Sequence, residues 1–351
     1  MARSDEIREG FREQARWCER LGSPFTARLC AALAEVLDEG SAIGARVLGW
    51  AGDPMRDALA LRLCGALHAL VRDGDAPEFT RLYPPRPLPD AAEFAKLLPL
   101  SLVEHAAALD PWLDSPPQTN EVGRSAPLMS GLLVLAERFG LPLHLFELGA
   151  SAGLNLQLDR YGYDLGGVTA GDLASPVQLK PDWKGQPPPR ARPRIAGRCG
   201  VDVNPVDPVE ARGRLLAYVW PDQPERLAQL AAALDIADAG GAPPVDKADA
   251  ADWLEERLKI EPEPGVCRVV QHTVAFQYFP AEVQERVKTR LRNAGEQASA
   301  DAPLAWLRLE KRAADEHFSL RLRTWPGDGL LLAWSHPHGS WMEWVAQPPS
   351  A

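Results

Sequence analysis

Across its 351 residues the sequence lacks any apolar run approaching the roughly 20 residues that a membrane-crossing helix requires, so no membrane span is expected. Cysteine is sparse. The five present, Cys18, Cys30, Cys64, Cys199 and Cys267, form no C-x-x-C pair and leave one over. That excludes a disulfide framework and suits reduced thiols in a cytoplasmic protein. A basic excess is missing too: 38 Lys and Arg face 48 Asp and Glu, a net charge of −10. Nucleic acid and anionic membrane surfaces are therefore disfavoured as main partners. The amino-terminal segment is charged from its third residue and has no signal-peptide core, which again leads us to expect a cytoplasmic protein.

Hydrophobic residues at 46% and charged residues at 25% are ordinary for a globular chain and exclude disorder throughout. The length fits two domains of about 150 residues, or one large α/β unit with an appendage. Proline is the residue in excess, 33 in all and clustered as loops would be.

Residues 1–115 read as a helical subdomain. Ile7, Phe11, Gln14, Cys18 and Leu21 form a helical stripe behind a Ser4 cap. Ser23-Pro24 opens a second helix stopped by Gly40; Asp53-Pro54 opens a third, closed by Gly74; Asp90 starts a fourth. Residues 116–351 change period. After a helix over 128–139 come strands at 143–148, 198–203, 267–276, 304–309, 318–323 and 330–334, with helices at 209–219, 225–234, 250–258 and 281–294. Alternation of this kind predicts an α/β, doubly wound, mostly parallel sheet. The last two strands leave no room for a helix, so an antiparallel hairpin at one edge is expected. Residues 159–197 form a Pro-rich basic insertion, read as a solvated loop or, alternatively, as a basic lid over an anionic substrate.

The chemistry centres on Glu147-Leu-Gly-Ala-Ser-Ala-Gly153, a strand ending in a carboxylate, then a small-residue turn opening a helix. Such a turn lets backbone approach a nucleotide closely, with the Ser151 side chain expected to face the cleft. The spacing is not the G-x-G-x-x-G of a dinucleotide fold, which disfavours an NAD-dependent oxidoreductase. Asp202 ends the second strand, where one carboxylate can accept both ribose hydroxyls. Asp249 precedes a helix, placed either to accept from an adenine amino group or to cap that helix.

These residues resemble class I S-adenosylmethionine-dependent methyltransferases over about 143–344. The resemblance implies a Rossmann-like fold in which Glu147, Gly149, Ser151 and Gly153 hold the methionine part of S-adenosylmethionine, Asp202 the ribose and Asp249 the adenine. Ser151 stands where that family usually has a glycine. More closely, the chain resembles an uncharacterised bacterial family, domain of unknown function 2332, through Glu147-Leu-Gly-Ala-Ser-Ala-Gly-Leu-Asn-Leu156, Tyr218-Val-Trp-Pro-Asp-Gln-Pro-Glu-Arg226 and His336-Pro-His-Gly339.

Acceptor residues in the methyltransferase fold follow the fourth strand. Here His272 is a candidate base, or else a strand histidine bonded to a neighbouring carbonyl; Gln277 and Tyr278 are candidates to orient a small-molecule acceptor. Asn120, Glu121, Arg124, His336 and His338 are further substrate-side candidates. His336 and His338 have no Cys or acid placed beside them, so no metal is expected. Trp220 to Gln223 and Arg226 read as a structural corner. A non-catalytic ligand-binding or scaffolding protein of the same fold is the alternative to methyl transfer.

Overall fold

The computed structural model describes residues 3–346. The chain divides into two compact units, one running to Thr119 and including Ala211–Ala228, the other taking Asn120–Glu210 and the chain from Gln229 onward.

The first unit is helical: Arg3–Arg20, Pro24–Val36, Ala42–Leu48, Leu59–Asp73, Ala91–Glu104, several shorter turns, and Arg212–Ala217. Ile7, Phe11, Phe25, Leu29, Leu33, Leu63, Leu67, Phe94 and Leu98 meet in its core. Ser23 caps the second helix by accepting from Thr26 N, with Pro24 in the first turn. Asp90 and Glu93 form a reciprocal capping box. Gly74 closes its helix in the left-handed region at φ 82°. Ser4 lies inside the first helix, which begins at Arg3, and not ahead of it. The second helix stops at Val36, ahead of Gly40, because Leu37 is extended. Asp53 accepts from Met55 N and Arg56 N in a separate turn, and the helix proper starts at Leu59 after Ala58 at φ 51°.

Residues 211–228 join this unit through specific bonds. Asp222 accepts from Ser23 Oγ (2.5 Å) and Phe25 N (2.8 Å), completing the cap begun by Ser23. His68 Nδ1 bonds Ala217 O at 3.0 Å. The corner at Trp220 to Gln223 is thus a structural one.

The second unit is mixed α/β. Its strands are β1 Leu143–Leu148, β2 Gly162–Leu165, β3 Val168–Gly171, β4 Gln178–Leu179, β5 Asp182–Lys184, β6 Ile195–Asp202, β7 Val245–Lys247, β8 Cys267–Thr273, β9 Leu304–Glu310, β10 Phe318–Trp325, β11 Gly329–Ser335 and β12 Trp341–Trp344. Nine form one sheet in the order β5-β12-β11-β10-β9-β8-β1-β6-β7. From β7 to β9 all neighbours are parallel, a Rossmann-like core. From β9 to β12 they are antiparallel. The hairpin β10–β11 exists but is not an edge, because β12 and β5 extend the sheet beyond it. Trp341–Trp344 and Val245–Lys247 are too short to show a period in sequence.

Register fixes which residues share a face. Glu147 pairs with Gln271, and Gln271 with Leu307. Leu307 packs on Gly131 of the helix Ser125–Phe139, so these three face that helix. His272 pairs with Arg308 and therefore points the opposite way. On that side Phe146, Leu148, Val201 and Val270 pack against the helices Ala250–Lys259 and Ala281–Glu296 through Trp253, Leu254, Val287 and Leu291.

The insertion is more ordered than its proline content suggests, since β2, β3 and β4 form a small sheet and β5 joins the large one. Lys180 pairs with Asp164 (2.9 Å) and Lys184 with Glu343 (2.8 Å). Arg190, Arg192 and Arg194 are exposed and lead into the amino end of β6. Ligands of open α/β sheets bind at the carboxyl ends, and the seven steps from Ile195 to Asp202 span roughly 23 Å at about 3.3 Å each. Arg190, Arg192 and Arg194 therefore lead into the end of the sheet opposite Asp202, which is against the lid reading, while the strands of the insertion show that it is not simply a loop. Among the described residues no helix is long and apolar enough to cross a membrane.

Candidate functional site

The carboxyl end of β1 places Glu147 in the interior, only 2% exposed. Its neighbours are Gln271 of β8, whose Nε2 donates across a long 3.5 Å, Asn155, and the more distant charge of Arg124. Burial pushes the Glu147 carboxyl up to about 8, Asp202 adds to the rise, and Gln271, Arg124 and Asn155 oppose it. At neutral pH this carboxyl keeps its proton.

The turn after β1 is held from within. Gly149 N and Ala150 N donate to Val201 O, Gly153 N to Ala150 O, and Leu154 N to Asn120 Oδ1. Gly149 is left-handed at φ 71°, and a Cβ there would lie 2.6 Å from Ala275 Cβ, so only glycine fits. Ser151 is left-handed as well, at φ 54°. Its side chain is buried, not turned into an open cleft, and its Oγ has no partner. Gln271 Oε1 is likewise buried and unpartnered. The turn leads into 3-10 geometry over Leu154–Arg160, broken at Gln157, where an α-helix was expected.

The two aspartates are engaged by their own backbone. Asp202 Oδ2 accepts from Ser151 N and Oδ1 from Asn204 N, both at 2.9 Å. Asp249 is the N-cap of Ala250–Lys259, accepting from Ala251 N and Asp252 N through Oδ1, which is the capping reading of that residue.

Four polar candidates lie in two turns that meet. Arg124 donates to Pro337 O (2.8 Å) and Thr273 O (3.4 Å), tying the end of β8 to the turn between β11 and β12. Glu121 accepts from Gly123 N at 3.1 Å. A Cβ on Gly123 would collide with His338 O, and one on Gly339 with Gly123 O, so the two turns pack backbone to backbone. His336 Nδ1 accepts from His338 N at 3.2 Å, and the two rings meet edge to face.

The chain belongs to the family described as "Uncharacterized protein conserved in bacteria (DUF2332)", which it matches over residues 8–344. No curated protein matches it.

In this DUF2332 member the region after β8 is divided. His272 is fully buried. Trp306 Nε1–H donates to its Nε2 at 3.0 Å, so Nδ1 carries the proton and donates to Glu310 Oε1 at 2.7 Å. Both ring nitrogens are engaged, and the ring stacks on Phe276. His272 in this arrangement has no nitrogen left for an acceptor proton. Glu310 Oε1 also receives Ala275 N and Phe276 N, each at 3.1 Å. It thereby pins the turn at Val274, a β-branched residue held at φ 50°. Gln277 and Tyr278 follow on the surface, Tyr278 being 68% exposed.

Asn155, Gln271, Trp306 and Glu310 were not singled out from the sequence. Gln271 carried a signal, a lone amide in the apolar run Cys267-Arg-Val-Val-Gln-His. Asn155 and Glu310 did not, since end-of-strand and turn residues of these types are common.

Proposed function

We propose that this DUF2332 protein binds S-adenosylmethionine at the carboxyl ends of β1, β6 and β8 and methylates a small-molecule acceptor. The observation that carries the reading is the shortage of donors around Glu147. Burial raises the Glu147 carboxyl to about 8, and unpartnered buried oxygens occur at Gln271, its neighbour on β8, and at Ser151 in the turn that follows β1. Buried acceptors without donors cost free energy until a donor-rich or cationic group arrives. The cofactor brings an ammonium and a sulfonium, and when bound supplies an electrophilic methyl group. Glu147 and the Ser151 turn would hold its methionine part. Asp202 keeps lone pairs beyond the two amides it serves, enough to accept ribose hydroxyls. Asp249 works as a helix cap, so the adenine contact falls to other groups. Arg124, His336 and His338 would border the acceptor on one side, Gln277 and Tyr278 on another.

A cation beside Glu147 favours its ionised form, so binding near pH 7 should release a proton. Calorimetry tests this directly. The heat of S-adenosylmethionine binding should scale with the ionisation enthalpy of the buffer for the native chain and lose that dependence in Glu147→Gln. No binding of S-adenosylmethionine or S-adenosylhomocysteine would sink the reading.

The second reading, a ligand-binding protein without catalysis, draws support from His272, whose ring nitrogens are both occupied. Incubation with S-adenosylmethionine and a bacterial small-molecule extract separates the two. Formation of S-adenosylhomocysteine above a heat-treated control supports transfer; binding without turnover supports the second reading.

A further inference from the structure

The face of the sheet turned away from Glu147 holds a charge arrangement that cofactor binding leaves unused. Arg308 of β9 stands directly across from Arg321 of β10. Like charges opposed on an antiparallel ladder destabilise it. Arg321 is relieved, since its Nη2 donates to Asp315 at 3.4 Å and its Nε to Ser319 Oγ at 3.1 Å. Arg308 has no such relief. Its guanidinium lies over the Trp306 indole, 3.9 Å from the ring centroid, and its Nη1 is buried without a partner. Burial, with the charges of Arg321 and Arg312, pulls the guanidinium down to about 10, and Glu310 offsets this only weakly. Glu310 lies two residues along the strand; its Oε1 serves His272, Ala275 and Phe276, while its Oε2 is buried without a partner and makes no hydrogen bond to Arg308.

A desolvated cation flanked by two others is destabilising unless an anion meets it. A guanidinium stacked on an indole keeps its N–H edge open for a planar, two-pronged acceptor. We propose that Arg308, supported by Trp306 and flanked by Arg321 and Arg312, is a second binding site, for the oxyanion of a small ligand carrying a carboxylate or a phosphate. It lies on the other face from Glu147 and does not depend on the methyltransferase reading.

The test compares sodium phosphate, sodium acetate and sodium chloride at matched ionic strength, following the thermal midpoint of the full chain. Phosphate or acetate should raise the midpoint saturably above chloride; whichever does so identifies the oxyanion. Arg308→Met keeps the stacked stem, removes the donors, and should abolish that rise without lowering the ligand-free midpoint. Equal effects of all three salts mean an adventitious ion only and overturn the site, as does a saturable response retained in Arg308→Met. A ligand-free midpoint that falls in Arg308→Met, with no saturable response in the native chain, means that Arg308 pairs with Glu310 in solution and also overturns it. Should Arg308→Met fail to fold, Arg308→Lys keeps the charge without the fork. It should weaken binding at least about tenfold, and unchanged affinity overturns the site.

Discussion

Glu147 and Glu310 are two buried glutamates at the carboxyl ends of strands in one parallel core, and they meet opposite fates. One oxygen of Glu310 receives a histidine N–H and two backbone N–H groups. Glu147 receives a long bond from Gln271 and a side-chain bond from Asn155, yet burial outweighs both and raises its carboxyl to about 8. They lie on opposite faces of the sheet, and what separates their chemistry is donor supply. A carboxylate supplied with donors by its own chain fastens a turn, as Asp202 and Asp249 also do. A carboxyl that its own chain leaves short of donors is where a ligand gains most.

The largest effect should come from breaking the supplied member. Glu310→Ala strands the His272 N–H and two backbone amides in the interior, and should cost about 3–5 kcal/mol, as when one partner of a buried pair is removed. Glu310→Gln retains an acceptor and should cost much less. Urea denaturation of the two variants checks this, and equal losses would mean that the carboxylate is not what fastens the turn.

Next in size is the under-supplied member, where the effect depends on pH. The Glu147 carboxyl is raised from 4.5 to about 8 on folding. Below about pH 4.5 both folded and unfolded chains hold the proton, and its contribution to stability is complete. Between there and pH 8 the unfolded chain releases the proton while the folded chain keeps it. Stability is then lost at up to about 1.4 kcal/mol per pH unit. Glu147→Gln has no proton to release. Its stability relative to the native chain should therefore climb from pH 5 to pH 8 and level off above that. A gap that is the same at both pH values would show that Glu147 is not a buried neutral acid.

The sequence made the frame of this comparison legible and hid its chemistry. Ser23-Pro24, Asp90 and Gly74 mark helix ends because capping is a local matter of one side chain and its next turn. β1, β8 and β9 are apolar runs and show themselves. Asp202 and Asp249 were legible as acids at strand and helix ends, but whether such an acid meets a ligand or a backbone amide is decided by the amides of residues 151, 204, 251 and 252 once folded. The sealing of His272 depends on Trp306 and Glu310, more than thirty residues away on the next strand. Spacing along the chain carries no record of that pairing.

A smaller effect should separate capping from binding. Asp249→Ala removes the acceptor for two helix amides and should cost about 1 kcal/mol in stability. Because its carboxylate already serves the cap, S-adenosylmethionine affinity should stay unchanged, and a large loss of affinity would return Asp249 to the site.

The smallest stability change, at Ser151, tests the site most closely. Ser151 pays for a left-handed backbone, roughly 1–2 kcal/mol for a residue with a Cβ, and carries a buried hydroxyl with no partner. Ser151→Gly removes both penalties but adds about 0.5–1 kcal/mol of chain entropy to the unfolded state. The ligand-free protein should come out about as stable as the native chain, or slightly more so. Ser151→Ala removes the hydroxyl alone and keeps the strain, so the difference between the two variants measures the backbone cost. Their effect on binding should be the same, because both delete the oxygen offered to the cofactor. One hydrogen bond of about 0.5–1.5 kcal/mol corresponds to a loss of affinity of up to about tenfold. Titration of both variants with S-adenosylmethionine reads it out. Native affinity in both would remove Ser151 from the site and leave its left-handed turn as a packing device between β1 and β6.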